Sequence, residues 1–238
     1  INASCDRFTV EEQGIRFGLV AIKNIGRGFI QAAMRERESN GKFTSLYDFC
    51  SRMNGSEMNK RAVENLIRSG TFDSTGAKRS QLMRVYESIM DSVAAQQREN
   101  LDGQMDFFSM SAGNAKQPAT KEIPLPAIPE FTPQELMSME KATTGLYLSG
   151  HPMDHYREEI QKLRAPTIAS IIRDFAQEGG PTRFADGQRI TIAGVITSSK
   201  TKTTKNNSLM AYVVVEDDTA SMELLCFNRV LESCGAYM

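Results

Sequence analysis

This chain lacks most of the marks by which an enzyme or a metalloprotein is read from sequence. Its four cysteines, Cys5, Cys50, Cys226 and Cys234, form no CxxC pair and no metal-type spacing. That leaves no zinc motif and suits a reducing cytoplasm, with the thiols as small apolar fillers. The two histidines, His151 and His155, stand four apart as a helical metal pair would. Pro152 lies between them, so a turn is expected there rather than a metal site. No apolar run reaches the roughly 18 residues of a membrane span. The first residues have neither the basic region nor the apolar core of a secretion signal. A Walker loop, a GxSxG elbow and a defensible Ser/His/Asp set are all missing. Asp217 and Asp218 look like paired catalytic carboxylates, but a hairpin turn explains them. No catalytic residue and no metal ligand is therefore assigned. With 28 Lys+Arg against 29 Asp+Glu there is no strong excess of either sign. Any binding of nucleic acid must come from local patches rather than from the overall field.

What is present reads as several modules, since 238 residues exceed the usual single-domain size. Residues 1–103 read as a helical region. Ile15, Leu19 and Ile22 give helical spacing, and Phe29, Ile30, Ala33 and Met34 follow a glycine-rich turn. A helix beginning near Ser45, another capped by Asn59 or Ser56 and stopped at Gly70, and a long one over 80–101 capped by Ser80 complete it. Residues 104–108 form a distinct pentapeptide, and the four prolines within 109–130 mark a linker. Residues 131–181 return to helical character as a connector, with Thr132 as N-cap and Pro133 in the first turn. In 182–238 the period changes to that of strands: 190–196, then 210–215, then 222–227, with a loop over 197–208.

Three stretches carry candidate function. The turn Lys23-Asn24-Ile25-Gly26-Arg27-Gly28 resembles the hairpin of helix-hairpin-helix DNA-binding modules. A glycine turn leading into a helix exposes backbone N–H groups at a positive helix end, so a phosphate of duplex DNA can approach. The bland alternative is a helix–helix turn with incidental glycines. The second stretch is Gln104-Met105-Asp106-Phe107-Phe108. Two adjacent Phe in a polar linker, each able to bury about 150–250 Å², suit a partner's groove, with Gln104 setting register. The pentapeptide resembles the sliding-clamp-binding peptide of bacterial replication and repair proteins. The alternative is a helix end that folds both rings onto its own domain. The third is the basic loop 198–208, where Lys200, Lys202 and Lys205 could clamp single-stranded DNA while Tyr212 and Phe227 stack bases. This region resembles the start of an OB-fold with its closing strands missing. Its alternative is a mobile solvated loop beside two core aromatics.

In their order, IRFGLVAIKNIG over 15–26, LIRSGTFD over 66–73, the pentapeptide, EKATTGLYLSGHPM over 140–153 and the partial OB-fold resemble the alpha subunits of bacterial DNA polymerase III, across nearly the whole chain. The resemblance implies a multidomain chain: an all-α helix-hairpin-helix region, a helical connector and a partial all-β OB-fold. It implies a non-catalytic region of a replicative DNA-directed DNA polymerase, inactive alone, since the family's metal-binding aspartates lie in a palm domain outside these motifs. The expected partners are double-stranded DNA, single-stranded DNA, the beta sliding clamp and other replisome subunits, with no membrane. No cofactor is expected here, Mg²⁺ belonging to the parent polymerase, and the location is cytoplasmic. The alternative is a DNA- and clamp-binding module of another bacterial repair protein. A third reading is a nuclease built on Asp217 and Asp218.

Overall fold

The computed structural model describes all residues except 13, 56–57, 102–122, 205–206 and 238, and the chain divides into two compact units, Ile1–Ser149 and Gly150–Met238. The first unit packs α1 (Arg27–Asn40), α2 (Leu46–Met53), α3 (Lys60–Arg68), α4 (Arg79–Leu101) and α5 (Pro133–Thr144). Local sequence sets most of these ends. Ser45 accepts from Asp48 N and starts α2, and Asn59 accepts from Ala62 N and starts α3. Thr132 and Glu135 close a reciprocal capping box around Pro133 at the head of α5. Gly70, at φ +75°, lets the chain leave α3, and an added Cβ there would strike the Arg79 guanidinium.

The core of this unit is aromatic at its centre. Phe29, Phe43, Phe49 and Phe72 are buried, and the Phe49 ring meets the other three edge-on, with centroids 5.0 to 6.0 Å apart. Ile30, Leu46, Leu66 and Ile67 fill in around them. Helix α4 contributes Leu82, Val85, Ile89 and Val93, the stripe its 3.6-residue period predicts.

Two expectations for this unit need correction. Residues 14–22 are not helical: Gly14–Arg16 is strand β2, paired antiparallel with β1 (Thr9–Glu11), and only Leu19–Ala21 form a 3-10 turn. Ile15 is exposed and faces Val10 across the hairpin. Three apolar positions made too short a period, and Gly18 packs so closely on the Arg7 backbone that a Cβ would not fit. Ser80 is also not the cap of α4, which begins at Arg79. The cap is Glu130, whose carboxylate accepts from Arg79 N at 2.8 Å and Ser80 N at 2.9 Å, while the Ser80 hydroxyl donates to Pro129 O. Gln81 Nε2 donates to Pro126 O, so the chain just before α5 is strapped across the head of α4.

The second unit contains α6 (Arg157–Leu163), α7 (Ile168–Phe175), an antiparallel sheet in the order β3 (Val195–Thr203), β4 (Leu209–Glu216), β5 (Ser221–Phe227), and α8 (Asn228–Cys234). This three-stranded sheet is consistent with a partial OB-like fold. Ile168 packs on Ala211, Val213, Val215 and Cys226 from one face of the sheet. Asp217 ties helix to sheet, accepting from Ile168 N at 2.7 Å and from Thr219 N and Ala220 N in the β4–β5 turn. Burial alone would raise its pKa, but these donors hold it below the usual carboxylate range. Asp174 does the same for the backbone at Thr182, Arg183 and Phe184.

The first strand falls later than its sequence suggests. Apolar 190–194 lie outside the sheet, and the polar run expected to be a mobile loop is paired through Thr203. Threonine is β-branched and suits a pleated surface, and every residue of this strand after Val195 is exposed, so serine and lysine are tolerated. A bulge between Ile196 and Ser198 resets the register.

Candidate nucleic-acid interface

The turn 23–28 is built from three backbone choices. Ile22 N closes the 3-10 turn onto Leu19 O. Asn24 then takes a left-handed conformation, φ +61°, which asparagine tolerates better than most residues. Ile25 is buried and pins the turn to the core, leaving Asn24, Gly26, Arg27 and Gly28 exposed. Gly26 is the N-cap of α1, with φ −71° and ψ 143°, and supplies no side-chain cap. Among the described residues no side chain caps the first N–H groups of this 14-residue helix at its positive end. The head of α4 differs, because there Glu130 already fills the equivalent place.

Lys23 is fixed in place by its neighbours. Its N–H donates to Thr143 O at 2.9 Å, its ammonium donates to Ala142 O at 2.8 Å, and its carbonyl accepts from Asn65 Nδ2 at 2.7 Å. The end of α5 thus supports the turn from behind. Sequence reasoning missed Asn65, Ala142 and Thr143, since nothing in their local pattern signals a partner so far along the chain. Behind them, Glu140 is wholly buried. Its Oε1 lies 3.0 Å from Arg79 Nη2, and its Oε2 accepts from Leu148 N, Ser149 N and the Ser149 hydroxyl.

In the second unit the sheet gathers candidates the sequence had placed in a loop and a core. Cross-strand register puts Lys200 opposite Tyr212 opposite Leu225, and Lys202 opposite Met210 opposite Phe227. Paired residues share a face, so Lys200, Lys202, Tyr212 and Phe227 lie on one side of the sheet. That side is the one turned away from Ile168. Phe227 is 62% exposed and Tyr212 half-buried, so neither is a core aromatic, and the Lys202 ammonium sits 5.2 Å from the Tyr212 ring centroid. Lys205 lies outside the described residues, as do Gln104, Met105, Asp106, Phe107 and Phe108. His151 caps the short 3-10 turn Pro152–Tyr156, its Nδ1 accepting from Met153 N. Among the described residues no helix is long and apolar enough to cross a membrane.

A glycine turn pinned by an isoleucine, with a bare helix N-terminus beyond it, is the local geometry of a helix-hairpin-helix protein, and residues 1–82 match the helix-hairpin-helix motif family. The wider kinship covers the whole chain. It is 30% identical to the DNA polymerase III subunit alpha of Vibrio cholerae over 239 residues, covering 100% of this chain and 20% of that relative. To the same subunit of Deinococcus radiodurans it is 34% identical, covering 98% of this chain and 17% of the relative. The Saccharopolyspora erythraea subunit is 32% identical, with 98% and 19% covered. Over nearly its whole length the chain is similar to a region of the DNA polymerase III alpha subunits, and it spans about one-fifth of the length of the curated relatives it matches.

Proposed function

We propose that this chain is a non-catalytic, DNA- and clamp-engaging region of a replicative DNA polymerase, working in the cytoplasm with other replisome subunits. The observation that carries the reading is the exposed turn 23–28, whose uncapped α1 N-terminus offers backbone N–H groups to a phosphate within the segment that matches the helix-hairpin-helix family. Contact of this kind reads the duplex backbone and ignores base sequence. Its affinity should be modest and fall steeply with salt. The pentapeptide 104–108 would dock in the apolar groove of a sliding clamp, with Phe107 and Phe108 as anchors. The exposed sheet face with Lys200, Lys202, Tyr212 and Phe227 would take single-stranded template, the lysines meeting phosphates and the rings meeting bases. The region itself would need no cofactor, Mg²⁺ serving the polymerase's catalytic part.

The test is duplex binding by Gly26→Val. Valine is compatible with the extended φ and ψ of Gly26, so the helices should remain, while its side chain would stand between a phosphate and the N–H groups beyond it. Affinity should fall with the circular dichroism spectrum unchanged. Undiminished affinity would move the duplex contact to another surface.

A further inference from the structure

The two cations of the turn differ in what they touch. Arg27 stands exposed at the first position of α1, and among the described residues its side chain makes no hydrogen bond or ion pair. Lys23 is committed within the protein. The two carbonyls it binds, Ala142 O and Thr143 O, are in the last turn of α5, which ends at Gly145 in the left-handed region, φ +81°. Carbonyls there have no partner within the helix and lie at its negative end, so an ammonium and an N–H are well matched to them. Asn65, only 8% exposed, fixes the remaining polar group of the same residue by donating to Lys23 O. Donor, acceptor and side chain of Lys23 are thus all held, two by α5 and one by α3.

We propose that Lys23 is a positioning residue rather than a phosphate ligand, and that Arg27 is the cation that pairs with the duplex. The inference rests on the duplex-binding reading above and divides the work within it. Fastening Lys23 to α5 sets the direction of the chain entering Asn24, and Asn24 in turn aims the N–H groups of residues 26–28. The back of the DNA contact is therefore built by a segment that follows the pentapeptide in sequence, 119 residues from the lysine it receives.

Salt dependence separates the two roles, because only a residue that neutralises a phosphate changes the number of counterions released. The whole 238-residue chain is titrated onto a labelled DNA duplex over a series of salt concentrations. Arg27→Met should lower the slope of log affinity against log salt by about 0.9. Lys23→Met should leave that slope unchanged while lowering affinity by about two- to tenfold at every salt, the loss expected for one hydrogen bond. Lys23 is exposed, so the variant should fold as the parent does. A slope reduced by about 0.9 in Lys23→Met would make Lys23 a phosphate ligand and overturn the proposal. Unchanged affinity in Lys23→Met would overturn it as well, since the fastening would then do nothing for DNA. If Arg27→Met changes neither slope nor affinity, the duplex reading of the turn is what fails.

Discussion

Glu140 offers the sharpest test of how the first unit is held together. Its side chain is 1% exposed and Arg79's is 8%, with the two charged groups 3.0 Å apart. Arg79 also pairs with Asp73 at 2.7 Å, but that carboxylate is half exposed. Glu140→Ala would leave the buried guanidinium with the Arg68 carbonyl and one charged partner, the solvent-screened Asp73, and would remove the acceptor of Leu148 N and Ser149 N. Breaking a buried pair by deleting one member typically costs about 3–5 kcal/mol. The low end applies, about 3 kcal/mol, because Asp73 remains and the exposed backbone at 148–149 can take water instead. In urea, with a slope of about 2 kcal/mol/M, the midpoint should drop by about 1.5 M. The helical signal in circular dichroism reports it, since this unit holds the longest helices. The complementary variant is Arg79→Met with Glu140→Leu, which removes both charges and keeps apolar volume. It should recover most of the loss, because no uncompensated charge stays buried. A single-variant loss under about 1 kcal/mol, or a double variant worse than the two singles together, would refute the argument.

Acid should weaken both units through carboxylates that cap backbone N–H groups. For Glu130, Asp174 and Asp217, burial alone would raise the pKa, yet hydrogen bonds from backbone donors hold each below its ordinary value, 4.5 for Glu and 3.8 for Asp. A folded pKa below the unfolded one means the stabilisation is complete above the ordinary value and is lost as pH falls through the lowered one. Unfolding curves should therefore shift down below about pH 4.5, and Glu130→Gln should flatten part of that limb; an unaltered limb would mean that Glu130 does not cap α4. Phe107→Ala and Phe108→Ala should each weaken binding to a purified sliding clamp by about 2 kcal/mol or more, and equal calorimetric affinities would remove the docking peptide. On labelled single strands, Phe227→Ala should lose about 1–3 kcal/mol if a base stacks there, and Lys200→Glu with Lys202→Glu should lose most at low salt; unchanged anisotropy in all three would leave the sheet face without this role. Purified protein should extend no primer with any divalent metal, and extension activity that copurifies with it would contradict the non-catalytic reading.

What the sequence settled by itself was local. Ser45, Asn59 and the Thr132–Glu135 pair cap helices within three or four residues, so their effect is complete before any tertiary contact forms. The stripe Leu82, Val85, Ile89 and Val93 needs only the helical period to be read, and the turn 23–28 only its glycines. The order of motifs was enough to indicate the family. Where the local signal was short, it misled: three apolar residues near a close-packed Gly18 suggested a helix where a hairpin forms, and a polar run suggested a loop where threonines pair with β4. The tertiary structure alone decided which group satisfies which. Glu130 caps a helix 50 residues away, Asn65 holds a carbonyl 42 residues away, and Lys23 reaches across 119 residues to α5. It also decided that Lys200, Lys202, Tyr212 and Phe227 share a face, through a register that a single bulge sets. The physical reason is the same in each case. A buried or terminal polar group must find a partner somewhere, but the sequence states only that need, and the packing of distant segments determines where the partner is.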